Sequence, residues 1–189
     1  MTPRGLLVVI AGPSGVGKGT VHGRVRAALP DSVLSVSVTT RPARPNEADG
    51  VDYHFVDRPR FEQMVADGEL LEWAEYAGNL YGTPRRPAEA AVADGKVVVL
   101  DIEVQGALQV REQSTDALLV FLAPPSFAEL ERRLRTRGTE DDEAVDARLE
   151  VARRELAQRD LFDAVVVNDD LDRCVAEVLD AIAAARTVT

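Results

Sequence analysis

Gly12-Pro13-Ser14-Gly15-Val16-Gly17-Lys18 places three glycines and a lysine within seven residues. Glycines at this spacing let the backbone curl so that several N–H groups face one anion. A helix starting at the end of the loop adds its partial positive charge. Lys18 brings a compact ammonium on a thin stem, which enters a narrow loop where a planar guanidinium would not. The pattern is that of a Walker A phosphate-binding loop, in which Lys18 reaches the outer phosphates of a nucleotide. One position departs from it. Gly19 stands where Ser or Thr normally offers a hydroxyl to Mg²⁺, and Thr20 follows. Either Thr20 contributes differently or a water replaces that hydroxyl.

The flanking elements are those such a loop requires. Leu6–Ala11 is a continuous apolar run, as expected for a strand buried on both faces of a parallel sheet. After the loop, Val21, Val25 and Leu29 mark one face of a helix that Pro30 ends. His22 lies beside that face and is expected in solvent. Val33–Thr40 reads as a second strand. Strands are then expected at 97–100, 118–122 and 165–167, the first ending in Asp101. Helices are expected at 86–94, 104–113, 127–135, from about 143 to 159, and 171–184. Alternating strands and helices imply a parallel sheet sandwiched by helices. Residues 41–82 break the alternation. They are rich in Pro, Gly and acid, with three basic against nine acidic residues from Arg44 to Glu75, and read as an inserted subdomain with a small mixed sheet.

Composition narrows the function classes. The 189 residues suit one domain with a modest insertion, and 46% hydrophobic against 29% charged residues excludes wholesale disorder. No apolar run approaches the ~18 residues of a membrane span. The N-terminus leaves no room for a signal peptide before the first strand, and Cys174 is the only cysteine, so a cytosolic protein without an internal disulfide is expected. The count of 22 basic to 32 acidic residues gives −10, the wrong sign for a bulk nucleic-acid binder. Phosphates must then be handled by cations focused in one cleft. Arginine accounts for 20 of the 22 basic residues, with only Lys18 and Lys96 as lysines. Lys18 is thus a lysine where the chain elsewhere prefers arginine. Lys96 reads as ordinary surface.

Further segments narrow the reading. They are Ser35-Val36-Ser37-Val38-Thr39-Thr40-Arg41-Pro42-Ala43-Arg44-Pro45, Gly50-Val51-Asp52-Tyr53-His54-Phe55, Gly68-Glu69-Leu70-Leu71-Glu72-Trp73 and Gly78-Asn79-Leu80-Tyr81-Gly82-Thr83. Leu100-Asp101-Ile102-Glu103-Val104-Gln105-Gly106, Arg135-Thr136-Arg137-Gly138-Thr139 and Val167-Asn168-Asp169-Asp170-Leu171 continue the series. In this order the set closely resembles the guanylate kinase family, over about residues 5–185.

The resemblance implies an α/β fold: a P-loop core of residues 1–36 and 84–189, a GMP-binding subdomain of 37–83, and a helical lid at about 136–150. It implies transfer of the ATP γ-phosphoryl group to GMP, with Mg²⁺ carried by ATP. The phosphate loop from Gly12 to Thr20 and Asn168 would bind ATP. Arg137 and Arg148 would join Lys18 in clamping the phosphates. Arg133 is open between a phosphate role and a solvated helix face. Arg41, Arg44, Tyr53 and Tyr81 would hold the GMP phosphate, since two cations and two hydroxyls suit a compact dianion. Glu72 would read guanine, whose N1–H and 2-amino group are adjacent donors that one carboxylate accepts together. Ser37 and Thr83 would lie beside it, and Trp73 is expected to pack. Asp101 would orient Mg²⁺ through water. Glu103 could assist there or contact the acceptor. The expected partners are ATP and GMP, with dGMP left open. No nucleic acid or membrane is expected, and the assembly is a monomer or small homo-oligomer. Two alternatives stand: another nucleoside monophosphate kinase, since Gly17-Lys18-Gly19-Thr20 also resembles the adenylate kinase loop, and a non-catalytic interaction module.

Overall fold

The computed structural model describes residues 4–76, 78–114, 116–136 and 142–187. Its centre is β1 (Leu6–Ala11), in which every residue is buried. β1 pairs in parallel with β7 (Val97–Asp101) on one side and β8 (Leu118–Ala123) on the other. β2 (Ser32–Leu34) and β9 (Ala164–Val167) complete a parallel sheet of order β2-β7-β1-β8-β9. Period-two alternation divides the core. Leu6, Val8 and Ile10 face α1 (Lys18–Ala28) and α7 (Leu171–Thr187), packing with Val21, Val25, Val178 and Ile182. Leu7, Val9 and Ala11 face α3 (Arg85–Ala93) and α4 (Val104–Gln113), packing with Ala88, Val104 and Ala107. Cys174 lies in the first of these clusters, where burial pushes its thiol up to about 11.

A second sheet has the order β4-β3-β6-β5, from β3 (Val38–Thr39), β4 (His54–Phe55), β5 (Leu70–Tyr76) and β6 (Asn79–Pro84). It is mixed: β3 and β4 are parallel, while β6 runs antiparallel to both β3 and β5. α2 (Arg58–Ala66) covers it, capped by the Asp57 side chain, which accepts from Arg60 N. Phe61, Met64, Val38, Leu70 and Leu80 form a separate small core. Between Leu70↔Pro84 and Glu72↔Thr83 the β5–β6 register slips by one residue. Adjacent residues consequently serve different cores: Leu70 packs in the small one and Leu71 in the core beneath α4. Finally, α5 (Phe127–Thr136) and α6 (Asp142–Leu156) pair through Leu130, Leu134, Val145 and Leu149.

Two expectations change. The strand anticipated at Val33–Thr40 is two strands in two sheets, with Val33 in register with Val98 and Val38 with His54. Alternation marks both pieces as extended but carries no information about which strand each will pair with. His22 is buried rather than in solvent, its Nε2 3.4 Å from the Val99 carbonyl oxygen. The buried face of α1 is wider than the Val21–Val25 stripe, because the helix crosses β7 as well as β1. Among the described residues, no helix is long and apolar enough to cross a membrane.

The small core has few members, so each should matter. Phe61→Ala should cost about 3–5 kcal/mol, the usual range for a fully buried phenylalanine. Amide exchange should then accelerate in β3 and β6 before β1. Urea unfolding with less than about 1 kcal/mol lost would contradict this account of the small core.

Candidate functional site

The site forms at the carboxyl end of β1, where crevices of open parallel sheets bind ligands. Gly15 and Gly17 take φ of 88° and 99°, in the left-handed region that side chains disfavour. The loop closes with Val16 N–H donating to the Pro13 carbonyl at 3.1 Å. Lys18 turns back across it, Nζ donating to the Gly12 carbonyl at 2.7 Å and standing 3.7 Å from Glu103.

Three elements brace this loop from outside. Asn168, after β9, donates its amide to the Val16 carbonyl at 2.7 Å. Arg133 on α5 donates to the Asn168 carbonyl at 3.2 Å and approaches the Val16 carbonyl at 3.5 Å, while its Nε is held by Glu129 at 2.9 Å. Arg133 is therefore neither a simply solvated residue nor one bonded only within its helix. Arg148 on α6 donates to Ser14 Oγ at 2.5 Å. Arg137 lies outside the described residues, as does part of the expected lid.

Three adjoining clefts follow. One of about 430 Å³ lies between Gly15, Gly17, Thr20, Arg133 and Asn168. A second, about 540 Å³, is lined by Pro13, Ser14, Lys18, Gly19 and Thr20, together with Asp101 and Glu103. A third, about 250 Å³, is lined by Ser37, Tyr53, Glu72 and Tyr81, again with Asp101 and Glu103. Asp101 and Glu103 thus form the wall common to the second and third clefts.

In the third cleft Glu72 is 5% exposed. Its Oε1 accepts from Thr83 Oγ1 at 2.6 Å. Burial pushes its carboxyl above the ordinary range, against the pull of the bonds from Thr83. A buried carboxylate with spare acceptor capacity invites further donors. Gly106 on α4 makes room for it, since a Cβ there would lie 2.6 Å from Glu72 Oε2. Trp73, expected to pack, is 40% exposed.

Arg41 and Arg44 do not line this cleft. Arg41 makes a two-pronged pair with Glu47, at 2.8 and 2.9 Å, and lies over Tyr53, 5.4 Å from its ring centre. That pairing holds the guanidinium above and the Glu47 carboxyl below their ordinary values. Tyr53 in turn meets Tyr81 edge-on at 6.1 Å. Glu47 also accepts from the Arg44 backbone N–H at 2.8 Å, so one carboxylate organises the whole turn. Glu47, Gly106 and Glu155 were not singled out by sequence. Gly106 sits within a quoted motif, while Glu47 and Glu155 act through partners that no local pattern shows.

Glu155 on α6 is a second raised carboxyl. Burial, and next the Glu103 carboxylate, push it up to about 7, with Lys18 opposing. Glu155 is the more buried of the two, Glu103 having 59% side-chain exposure.

Comparison with known proteins agrees with this geometry. The guanylate kinase family model matches residues 4–185. A guanylate kinase of Thermobifida fusca is 55% identical over 181 residues, covering 96% of this chain and 92% of the relative. One of Thermosynechococcus vestitus is 52% identical, covering 96% and 95%. The crystal structure of guanylate kinase from Anaplasma phagocytophilum superposes with a TM-score of 0.77 at 34% identity, over 100% of this chain and 89% of that one.

The Glu155 proton has a thermodynamic consequence. Between the ordinary 4.5 and about 7, the folded chain keeps a proton that the unfolded chain has released. Its contribution to stability therefore falls as pH rises through that window. Glu155→Gln removes the titration, so the melting temperature of the native chain should fall relative to the variant between about pH 5 and 8. A difference between the two that does not change with pH would refute the raised value.

Proposed function

The chain belongs to the guanylate kinase family, and on that premise we propose how its residues divide the work of phosphoryl transfer. The activity is reversible transfer of the ATP γ-phosphoryl group to GMP, giving ADP and GDP. The alternatives left by the sequence fall away, because the curated relatives at 50–55% identity are guanylate kinases over nearly the whole chain. The observation that carries our assignment of roles is the wall of Asp101 and Glu103 shared by the phosphate-loop cleft and the Glu72 cleft.

Residues 1–36 and 84–189 bind ATP, and residues 37–83 bind GMP. The adenine side of ATP lies against Asn168, and its phosphates follow the loop from Gly12 to Thr20. Lys18 exchanges the Gly12 carbonyl for phosphate oxygens. Arg148, already bonded to the loop through Ser14, adds a second cation, and Arg137 a third. Arg41 and Arg44, with Tyr53 and Tyr81, hold the GMP phosphate. Glu72 accepts from N1–H and the 2-amino group of guanine, flanked by Ser37 and Thr83. A GMP phosphate oxygen then attacks the γ-phosphorus as the bond to the β,γ-bridging oxygen breaks. Placement and charge cancellation supply the rate, and no side-chain nucleophile is needed.

Oxygen donors suit Mg²⁺, and the phosphate cleft offers the Asp101 carboxylate and the Thr20 hydroxyl. Mg²⁺ brought by ATP would be held there through water, leaving Gly19 free of metal contact. When bound it would offset charge on the phosphates.

A coupled ADP-release assay with GMP, AMP and UMP tests the whole reading, GMP alone being the good acceptor. Lys18→Ala should lower turnover by roughly 10²–10³, as when one donor is lost from a site of developing charge. GMP affinity should hardly change, and near-normal turnover would remove Lys18 from the chemistry. Glu72→Gln should cost about 2–4 kcal/mol in kcat/KM for GMP, from a lost ionic acceptor and an opposed NH₂. An unchanged GMP KM and kcat/KM would mean that Glu72 does not read the base.

A further inference from the structure

Helix α4 runs beside β5, and Gly106, Gln109 and Gln113 recur on one of its faces at helical spacing. Gly106 faces Glu72, and Gln113 accepts from Arg85. Gln109 does something less usual. Its Nε2 donates to the Trp73 carbonyl at 2.9 Å, and its Oε1 accepts from the Trp73 N–H at 3.1 Å. β5 is an edge strand, paired only with β6. The side-chain amide thus makes the two bonds that a neighbouring strand would make. Trp73 directly follows Glu72, so the tether acts one residue from the buried carboxylate.

We propose that Gln109 is a positioning residue that fixes the Glu72 carboxylate for the two-donor edge of the acceptor base, and thereby sets discrimination against purines lacking the 2-amino group. The proposal rests on the reading of Glu72 as the base reader. Two adjacent donors share one carboxylate only when its plane and lateral position match theirs. Thr83, on β6, holds one oxygen of Glu72 and one edge of β5, and Gly106 leaves room for the other oxygen, but neither holds the free edge of the strand. Gln109 does so, from a helix packed under the phosphate-loop sheet. If the tether is cut, β5 shifts along α4 and the second donor loses its acceptor first. GMP and IMP share the ribose, the phosphate and N1–H, so their ratio isolates the 2-amino contact.

The test uses Gln109→Met, which keeps length and packing without hydrogen bonds, together with Gln109→Ala and Glu72→Gln. Dissociation constants for GMP and IMP are measured by titration calorimetry, and kcat is measured at saturating GMP. The IMP-to-GMP ratio of dissociation constants should fall about tenfold in Gln109→Met, with kcat within about threefold and ATP KM unchanged. Gln109→Ala should do the same. Equal weakening of both nucleotides, or no change in the ratio, overturns the proposal; Gln109→Met decides the matter alone if the alanine variant folds poorly. Glu72→Gln separates the two levels. If it lowers the ratio while the Gln109 variants do not, the tether is wrong and the base reader stands. If it leaves the ratio unchanged, the reading of Glu72 fails first.

Discussion

Six consecutive side chains of β1 are withdrawn from water on both faces of one sheet, and the phosphate loop and Asp101 take their positions from that strand. Burial on both sides requires a helical layer above and below, which α1 with α7 and α3 with α4 provide. It also leaves the carboxyl end of the strand as the place where backbone can turn toward a ligand. The phosphate loop occupies that end. The neighbouring strand β7 finishes beside it in Asp101, in register with Ile10. A phosphate site and a carboxylate are thereby brought together by strand pairing alone, before any side chain reaches for another.

The second constraint is electrostatic. An acidic chain that handles polyanions must hold its cations where they are wanted, and here carboxylates do the holding. Glu47 grips Arg41, Glu129 grips Arg133, and Glu103 stands beside Lys18. Each pairing limits the rotamers of a long flexible side chain. Each also sets a threshold, because the incoming anion must compete with a resident carboxylate. A dianionic phosphate can do so; a lone chloride cannot offer the same paired geometry.

Much of this was legible in the residues. The phosphate loop and its flanking strand and helix are local features, written within about two dozen residues. The parallel sheet follows from alternation of elements, and the break in that alternation marks the small mixed sheet. What escaped was long-range. The split of Val33–Thr40 depends on which strands lie alongside, and the burial of His22 on the angle at which α1 crosses the sheet. Glu155 is raised first by burial and then by the Glu103 carboxylate, fifty-two positions away. Gln109 looks like any polar residue on a helix until an edge strand is laid against it. Periodicity reports which face is dry; it does not report what the wet face touches.

The slip in register within β5 has a mechanical meaning. Leu70 belongs to one packed body and Leu71 to the other, so a single peptide link joins them at this point. Any rigid rotation of the small sheet about that link moves each atom in proportion to its lever arm. Glu72, beside the link, travels little, while Arg41 and Arg44, which follow β3 and are separated from β5 by β6, travel further. A rotation of this kind would leave the Glu72 end of the cleft nearly in place and carry the turn that bears Arg41 and Arg44.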